Sequence, residues 1–154
     1  MSEAIESLIQ SVRWDEKRSL IGSAEHVPAA LRGLQSDNLD TIERAYWKLD
    51  NSVVVQSELF ETAYHVIPIL LQILGEGVTL GRMHVYNLLF EICNGHGSDG
   101  DTLRTFEGDL VPLRVACRRE IRRGIDLFNA DLQKPDQELS RNVRDLLECL
   151  DEED

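Results

Sequence analysis

At 154 residues, 42% hydrophobic and 29% charged, the chain is the size of one domain able to bury roughly 68–70% of its unfolded surface, which argues against long disorder. A formal net charge of −12 disfavours nonspecific binding to nucleic acid or an anionic membrane, both of which reward Lys and Arg, and suits a basic partner. The three cysteines, Cys93, Cys117 and Cys149, are an odd number without C-x-x-C spacing, so they are expected to stay reduced in a cytosol as small hydrophobes.

The opening MSEAIESLIQ carries acids where a secretory signal carries a basic and then an apolar stretch, so no leader is expected there. No apolar run reaches the roughly 18 residues of a membrane span. Apolar residues recur at helical spacing through Ile5, Leu8, Ile9 and Val12, then Val27, Ala30, Leu31 and Leu34, then Leu39, Ile42, Tyr46 and Leu49. The longest stripe runs from Phe60 to Leu74 and closes at Gly75 and Gly77. The segment Leu80 to Cys93 is apolar on more than one face and is expected to be the central helix. Further stripes run from Leu110 to Phe128 and, after Lys134 and Pro135, from Leu139 to Leu150. The pattern predicts about seven helices and no strand, with Ser23, Asp37, Ser57 and Asp136 as N-caps.

Three prolines follow a β-branched residue and precede an apolar run: HVPAALRGL, HVIPILLQIL and DLVPLRVAC. Pro28, Pro68 and Pro112 stand 40 and 44 residues apart, close to the roughly 40–47 residues of two-helix HEAT and armadillo repeats. Proline suits the first turn of a helix or a kink, so each would fix where the second helix of a pair turns inward. The expectation is all-α: a single HEAT-like α-solenoid of about three helical pairs plus a closing helix, spanning 1–154. A compact bundle with coincidental prolines is the alternative.

The run Val53–Val55, in LDNSVVVQSELFE, is β-prone between two helical stripes. It falls between Asn38–Asp50 and Ser57–Leu74, where a HEAT unit has its inter-helix turn. An extended segment there would tuck alternate valines under a neighbouring repeat, or simply plug the edge of the core. The surrounding stretch ERAYWKLDNSVVVQSELFETAYHVIPILLQIL, Glu43 to Leu74, resembles a signature of small bacterial HEAT-like proteins, sharpest from Tyr46 onward, over about a fifth of the chain. Members of such families resemble immunity proteins of polymorphic toxin systems, which bind and block a cognate toxin domain in the cytoplasm. The resemblance implies a helical fold and a binding role.

Chemistry beyond binding is sparsely signalled. In CNGHGSDGD, Asp99, Asp101 and His96 suggest a metal loop, but an EF-hand needs further oxygen ligands and a Glu eleven positions after Asp99, where Leu110 stands. The loop reads as a connector or a partner contact. His26, His65, His84 and His96 lack zinc-site spacing, and no nucleophile elbow, Walker loop or dinucleotide fingerprint occurs, so neither an enzyme nor a cofactor is expected. Arg114, Arg118, Arg119, Arg122 and Arg123 fall on one helix with two pairs four residues apart on faces expected to be exposed. They would contact phosphate or an acidic protein, or pair with Glu120, Asp126 and Asp145. The C-terminal LECLDEED reads as a solvated acidic run.

The functional expectation is a protein-binding inhibitor, an immunity protein that neutralises a basic toxin domain such as a nuclease; the alternative is a HEAT adaptor without a toxin partner. It would be cytoplasmic, bind neither nucleic acid nor membrane, and be a monomer when free. The candidate contact residues are Tyr46, Trp47, Asp50, Asn51, Gln56, Glu58 and Glu61, with Tyr86, Asn87, Asn94, His96, Asp99 and Asp101 beyond them. For Trp47 and Tyr86 a place in the core is the competing reading.

Overall fold

The computed structural model describes residues 2–19, 22–97 and 101–152. The chain is mostly helical. Among the described residues there are eight α-helices: α1 (Glu3–Gln10), α2 (Val27–Gly33), α3 (Leu39–Val53), α4 (Glu61–Gly75), α5 (Arg82–Asn94), α6 (Leu113–Arg122), α7 (Ile125–Leu132) and α8 (Gln137–Asp151). Strands, which the periodicity did not predict, form three separate antiparallel hairpins: β1 (Arg18–Ser19) with β2 (Gly22–Ser23), β3 (Val54–Val55) with β4 (Glu58–Leu59), and β5 (Thr102–Arg104) with β6 (Leu110–Pro112). Each strand is two or three residues long, too short to display an alternating pattern in the sequence.

The expected caps are partly displaced. Asp136 caps α8 by accepting from the Leu139 amide at 3.1 Å. At α3 the cap is Asn38 rather than Asp37, accepting from Thr41 N at 3.1 Å. Ser23 lies in β2 and Ser57 in a turn, because a hairpin intervenes before each following helix. The stripe from Leu110 to Phe128 is broken twice, first by β6 and then at Gly124. A Cβ on Gly124 would stand 2.6 Å from Leu71 Cδ2 and 2.8 Å from Phe128 Cζ, so any larger residue would make these side chains shift where α7 leaves α6 against α4.

The helices pack in two rows. α3, α5 and α8 lie side by side in one, and α1, α4 and α6 in the other. Contacts of α4 with α3 and α5, and of α5 with α6, join the rows, while α2 packs on α3 and α7 on α8. Between the rows lies one apolar core that includes Leu49, Ile67, Leu70, Tyr86, Leu89, Cys117 and Leu146. α5 touches helices of both rows and buries Val85, Tyr86, Leu88, Leu89, Ile92 and Cys93, as its all-round apolarity led one to expect.

The three prolines do not hold equivalent positions. Pro28 lies in the first turn of α2, Pro112 is the residue before α6, and Pro68 is inside α4. A proline in mid-helix has no N–H to give the carbonyl one turn back, so Pro68 takes the interior place that the repeat alignment allowed beside a helix start, while Pro28 and Pro112 stand at helix starts.

Two arginines are built into the core. Arg82 donates to Asp131 Oδ2 through Nε at 3.0 Å and Nη2 at 2.8 Å, and to the carbonyls of Leu74 and Val78 at 3.1 and 3.0 Å. The Tyr86 hydroxyl also donates to that carboxylate, and Lys134 approaches its other oxygen at 2.8 Å. Arg118, expected at the surface, is 0% exposed. Its guanidinium donates to Cys93 O at 2.8 Å, to Cys149 O, and to Glu152 O at 2.9 Å. The C-terminal ends of α5 and α8 thus share one cation, which meets both their unpaired carbonyls and the negative ends of their dipoles.

Candidate functional site

The outer face of α3 and α5 gathers most of the predicted contact residues. On α3 the spacing Glu43, Tyr46, Trp47, Asp50 places four side chains on one stripe; on α5, His84, Asn87, Glu91 and Asn94 do the same. The two helices lie alongside each other, so the stripes merge. Tyr46 sits at the seam, edge-on to Trp47 at 5.1 Å and to His84 at 5.6 Å between ring centroids. Trp47 is 56% exposed, a large ring left in water with its inner edge held by a tyrosine. Asn87 accepts from Asn142 of α8 at 3.2 Å, which extends the face to the third helix of the row.

The face is electrostatically unbalanced. Burial and then the Glu91 charge push the Asp50 carboxyl above its ordinary value. Partial burial, helped by Asp50, Glu91 and Glu43, pushes the Tyr46 phenol up to about 12. Neither Asp50 nor Glu91 has an ion-pair partner among the described residues, and Glu43 has only the imidazole of His84, at 3.0 Å. His84 Nδ1 is buried without a hydrogen-bond partner.

At the far end of the stripe the chain turns back. The valine run is the last turn of α3 followed by β3, with Val53 and Val54 buried in the core, so it both plugs the core edge and extends into a strand. Gln56 and Ser57 form the two-residue loop with φ of 51° and 68°. Positive φ at both positions is the primed turn that matches the hairpin twist, here without the Asn-Gly that favours it. Gly95–Gly97 fastens onto this hairpin: Leu59 N donates to His96 O at 2.9 Å and His96 N to Ser57 O at 2.7 Å. A Cβ on Gly95 would stand 2.5 Å from Leu59 Cδ2, so the approach requires glycine. Arg114 of α6 secures the same loop by donating to Gly95 O at 2.7 Å.

The predicted residues therefore separate. Tyr46, Trp47, Asp50, Asn51, Asn87 and Asn94 share the α3–α5 face, and Gln56, Glu58 and His96 are exposed at the hairpin beyond the ends of these helices. Tyr86 is fully buried and bonded to Asp131, so the core reading is the correct one for it, as the exposed reading is for Trp47. Glu61 accepts from Arg18 N at 3.2 Å and Asp101 meets Arg18 Nη2 at 3.4 Å, which places both against the β1–β2 hairpin instead. Asp99 lies outside the described residues. Glu43, His84 and Glu91 were not singled out, although their helical spacing with Tyr46, Asp50 and Asn87 was the signal available.

No family model matches the chain, and no curated protein matches it.

The arginine helix works inward more than outward. Arg114, Arg118 and Arg122 bind carbonyls at the ends of α5 and α8, with Arg122 donating to Leu150 O at 2.9 Å. Arg123 pairs with Glu120 at 2.5 Å and with Glu107; the expected acids Asp126 and Asp145 are not its partners. Away from the α3–α5 face, a cavity of about 570 Å³ opens among α1, α4, α6 and the β5–β6 hairpin. Leu8, Val12, Pro68, Ile69 and the exposed ring of Phe106 line it. His65 lies in its wall, with its pKa lowered to about 4 by burial and then by Lys17. Among the described residues no group of three or more His, Cys, Asp or Glu is arranged to hold a metal ion, and no helix is long and apolar enough to cross a membrane.

Proposed function

We propose that the protein is a protein-binding inhibitor whose α3–α5 face captures a basic partner, an immunity protein acting on a cationic toxin domain such as a nuclease. The observation that carries the reading is Trp47, exposed and braced by Tyr46 beside two carboxylates, Asp50 and Glu91, that have no ion-pair partner among the described residues. A braced aromatic gives contact area with little ordering entropy to lose, the usual chemistry of an interface anchor. Carboxylates left in mutual repulsion gain on meeting Lys or Arg, and a net charge of −12 steers a cationic domain by a factor of roughly 10 to 10³ at low salt. The two rows of helices support a HEAT-like solenoid in which α3, α5 and α8 form the presenting layer. The protein would work in the cytoplasm, as a monomer until its partner arrives.

The test is to clone whatever cationic toxin-like domain the flanking genes encode and to co-express it with this chain. The wild-type chain is expected to restore growth, and Trp47→Ala with Asp50→Lys to abolish protection while unfolding within about 1 kcal/mol of wild type. Protection that survives both substitutions overturns the assignment of the face; absence of protection by the wild-type chain overturns the immunity reading.

A further inference from the structure

The junction of α5, α6 and α8 holds a pair of thiols that the binding reading does not use. Cys93 is in the last turn of α5 and Cys149 in the last turn of α8, and both helices end on Arg118. Arg118 Nη1 lies 3.3 Å from Cys93 Sγ and 3.5 Å from Cys149 Sγ, so one cationic nitrogen touches both sulfurs. Both sulfurs therefore lie around the same guanidinium nitrogen, at the point where the last turns of α5 and α8 meet. The third cysteine, Cys117, is fully buried, and burial followed by the Glu120 charge pushes its thiol up.

We propose that Cys93 and Cys149 are a peroxide-sensitive dithiol, set by Arg118 to close into a disulfide that staples the end of α5 to the last turn of α8. This holds whatever the partner of the α3–α5 face is. The direction of attack follows from the surroundings. The neighbouring Cys93 thiol and the contact with Arg118 hold the Cys149 thiol below its ordinary range, against the opposing effects of burial and Glu152, while Cys93 is pushed above its own. Cys149 is therefore the more readily ionised thiol and attacks first, with Cys93 as the resolving partner. It is also two residues from the end of its helix, where local opening admits a small oxidant more readily than in a helix centre.

The step balances with a hydroperoxide as oxidant. Cys149 Sγ attacks the peroxide, the O–O bond breaks, and the departing hydroxide takes a proton to leave as water, giving the sulfenic acid. Cys93 Sγ then attacks Cys149 Sγ. An S–S bond forms, the S–O bond breaks, and the Cys93 proton leaves with the hydroxide as a second water. Two thiols lose two electrons in all, and one hydrogen peroxide becomes two waters. A dithiol reductant reverses it.

Hydrogen peroxide added to the folded full-length chain, followed by intact mass and peptide mapping, tests the proposal. The expected product is lighter by about 2 Da, carries a Cys93–Cys149 linked peptide, leaves Cys117 open to alkylation after denaturation, and reverts with dithiothreitol. It should melt roughly 5–10 °C higher. In Cys93→Ala the disulfide cannot form and dimedone should trap a sulfenic acid at Cys149; this variant removes one sulfur and keeps Arg118 and its carbonyls. The proposal fails if the mass is unchanged at peroxide levels that oxidise a free thiol, if Cys117 is oxidised as fast as Cys149, or if mapping finds another pairing.

Discussion

The α5–α6–α8 junction and the α3–α5 face handle charge in opposite ways. At the junction Arg118 is wholly buried and donates to three carbonyls, and in the neighbouring core Asp131 faces Arg82, Lys134 and the Tyr86 hydroxyl. On the face, Asp50 and Glu91 repel each other, and among the described residues neither has an ion-pair partner. Charges taken out of water must be matched inside the molecule, because leaving one uncompensated costs several kcal/mol. At the surface water tolerates the mismatch, so a mismatch there is free to serve an encounter with another molecule. The same residue types therefore do structural work in one region and are available for recognition in the other.

Three measurements break or sharpen that contrast. Arg118→Met should have the largest effect, about 3–5 kcal/mol lost in urea unfolding, since it strips two helix ends of their shared donor. A loss below about 1 kcal/mol would mean that water replaces the guanidinium and that the junction is not a matched interior site. Asp131→Asn should cost about 3 kcal/mol by leaving Arg82 buried without its counter-charge. It should also change the acid limb of stability. Burial alone would raise the Asp131 pKa, but the bonds from Lys134, Tyr86 and Arg82 outweigh it and hold the carboxyl below its ordinary 3.8. A depressed folded value stabilises above pH 3.8 and is lost as pH falls further, so the mutant should show a shallower decline below that point than the wild type.

The smallest effect belongs to the face. Asp50 has a raised folded value, so its charge opposes folding, and its contribution worsens as pH rises from the unfolded value through the folded one. Asp50→Asn should therefore leave stability at pH 7 unchanged or higher by a few tenths of a kcal/mol once solvent screening is allowed for, while slowing association with a basic partner at low salt. A clear loss of stability would make Asp50 a structural residue and erase the contrast.

How far the molecule could be read in advance depended on the range of the forces involved. Helical periodicity is a local property, so α3, α4, α5 and α8 were legible to within a few residues, as was the Asp136 cap. The hairpins were not, because strands of two or three residues are held by partners and turns rather than by their own pattern. Arg118 and Arg122 looked like an exposed basic pair for a related reason: helical spacing shows that two side chains are neighbours, not which way the helix faces. Of the candidate contacts, Tyr46, Trp47 and Asp50 emerged because they repeat along one helix. Tyr86, Glu61 and Asp101 were misplaced because their partners, Asp131 and Arg18, lie 45, 43 and 83 positions away in the chain.

The amino-acid order by itself determined a helical chain with one core, a strongly negative charge and an aromatic-acidic stripe on the helix after Asn38, since each follows from composition or from spacing within one turn. Only the tertiary structure decided that α3 and α5 bring Glu43, Tyr46, Asp50 and Glu91 together while Arg118 vanishes between two helix ends. Those outcomes depend on which faces meet, and long-range packing, where burial sets the value of every charge, is where that choice is made.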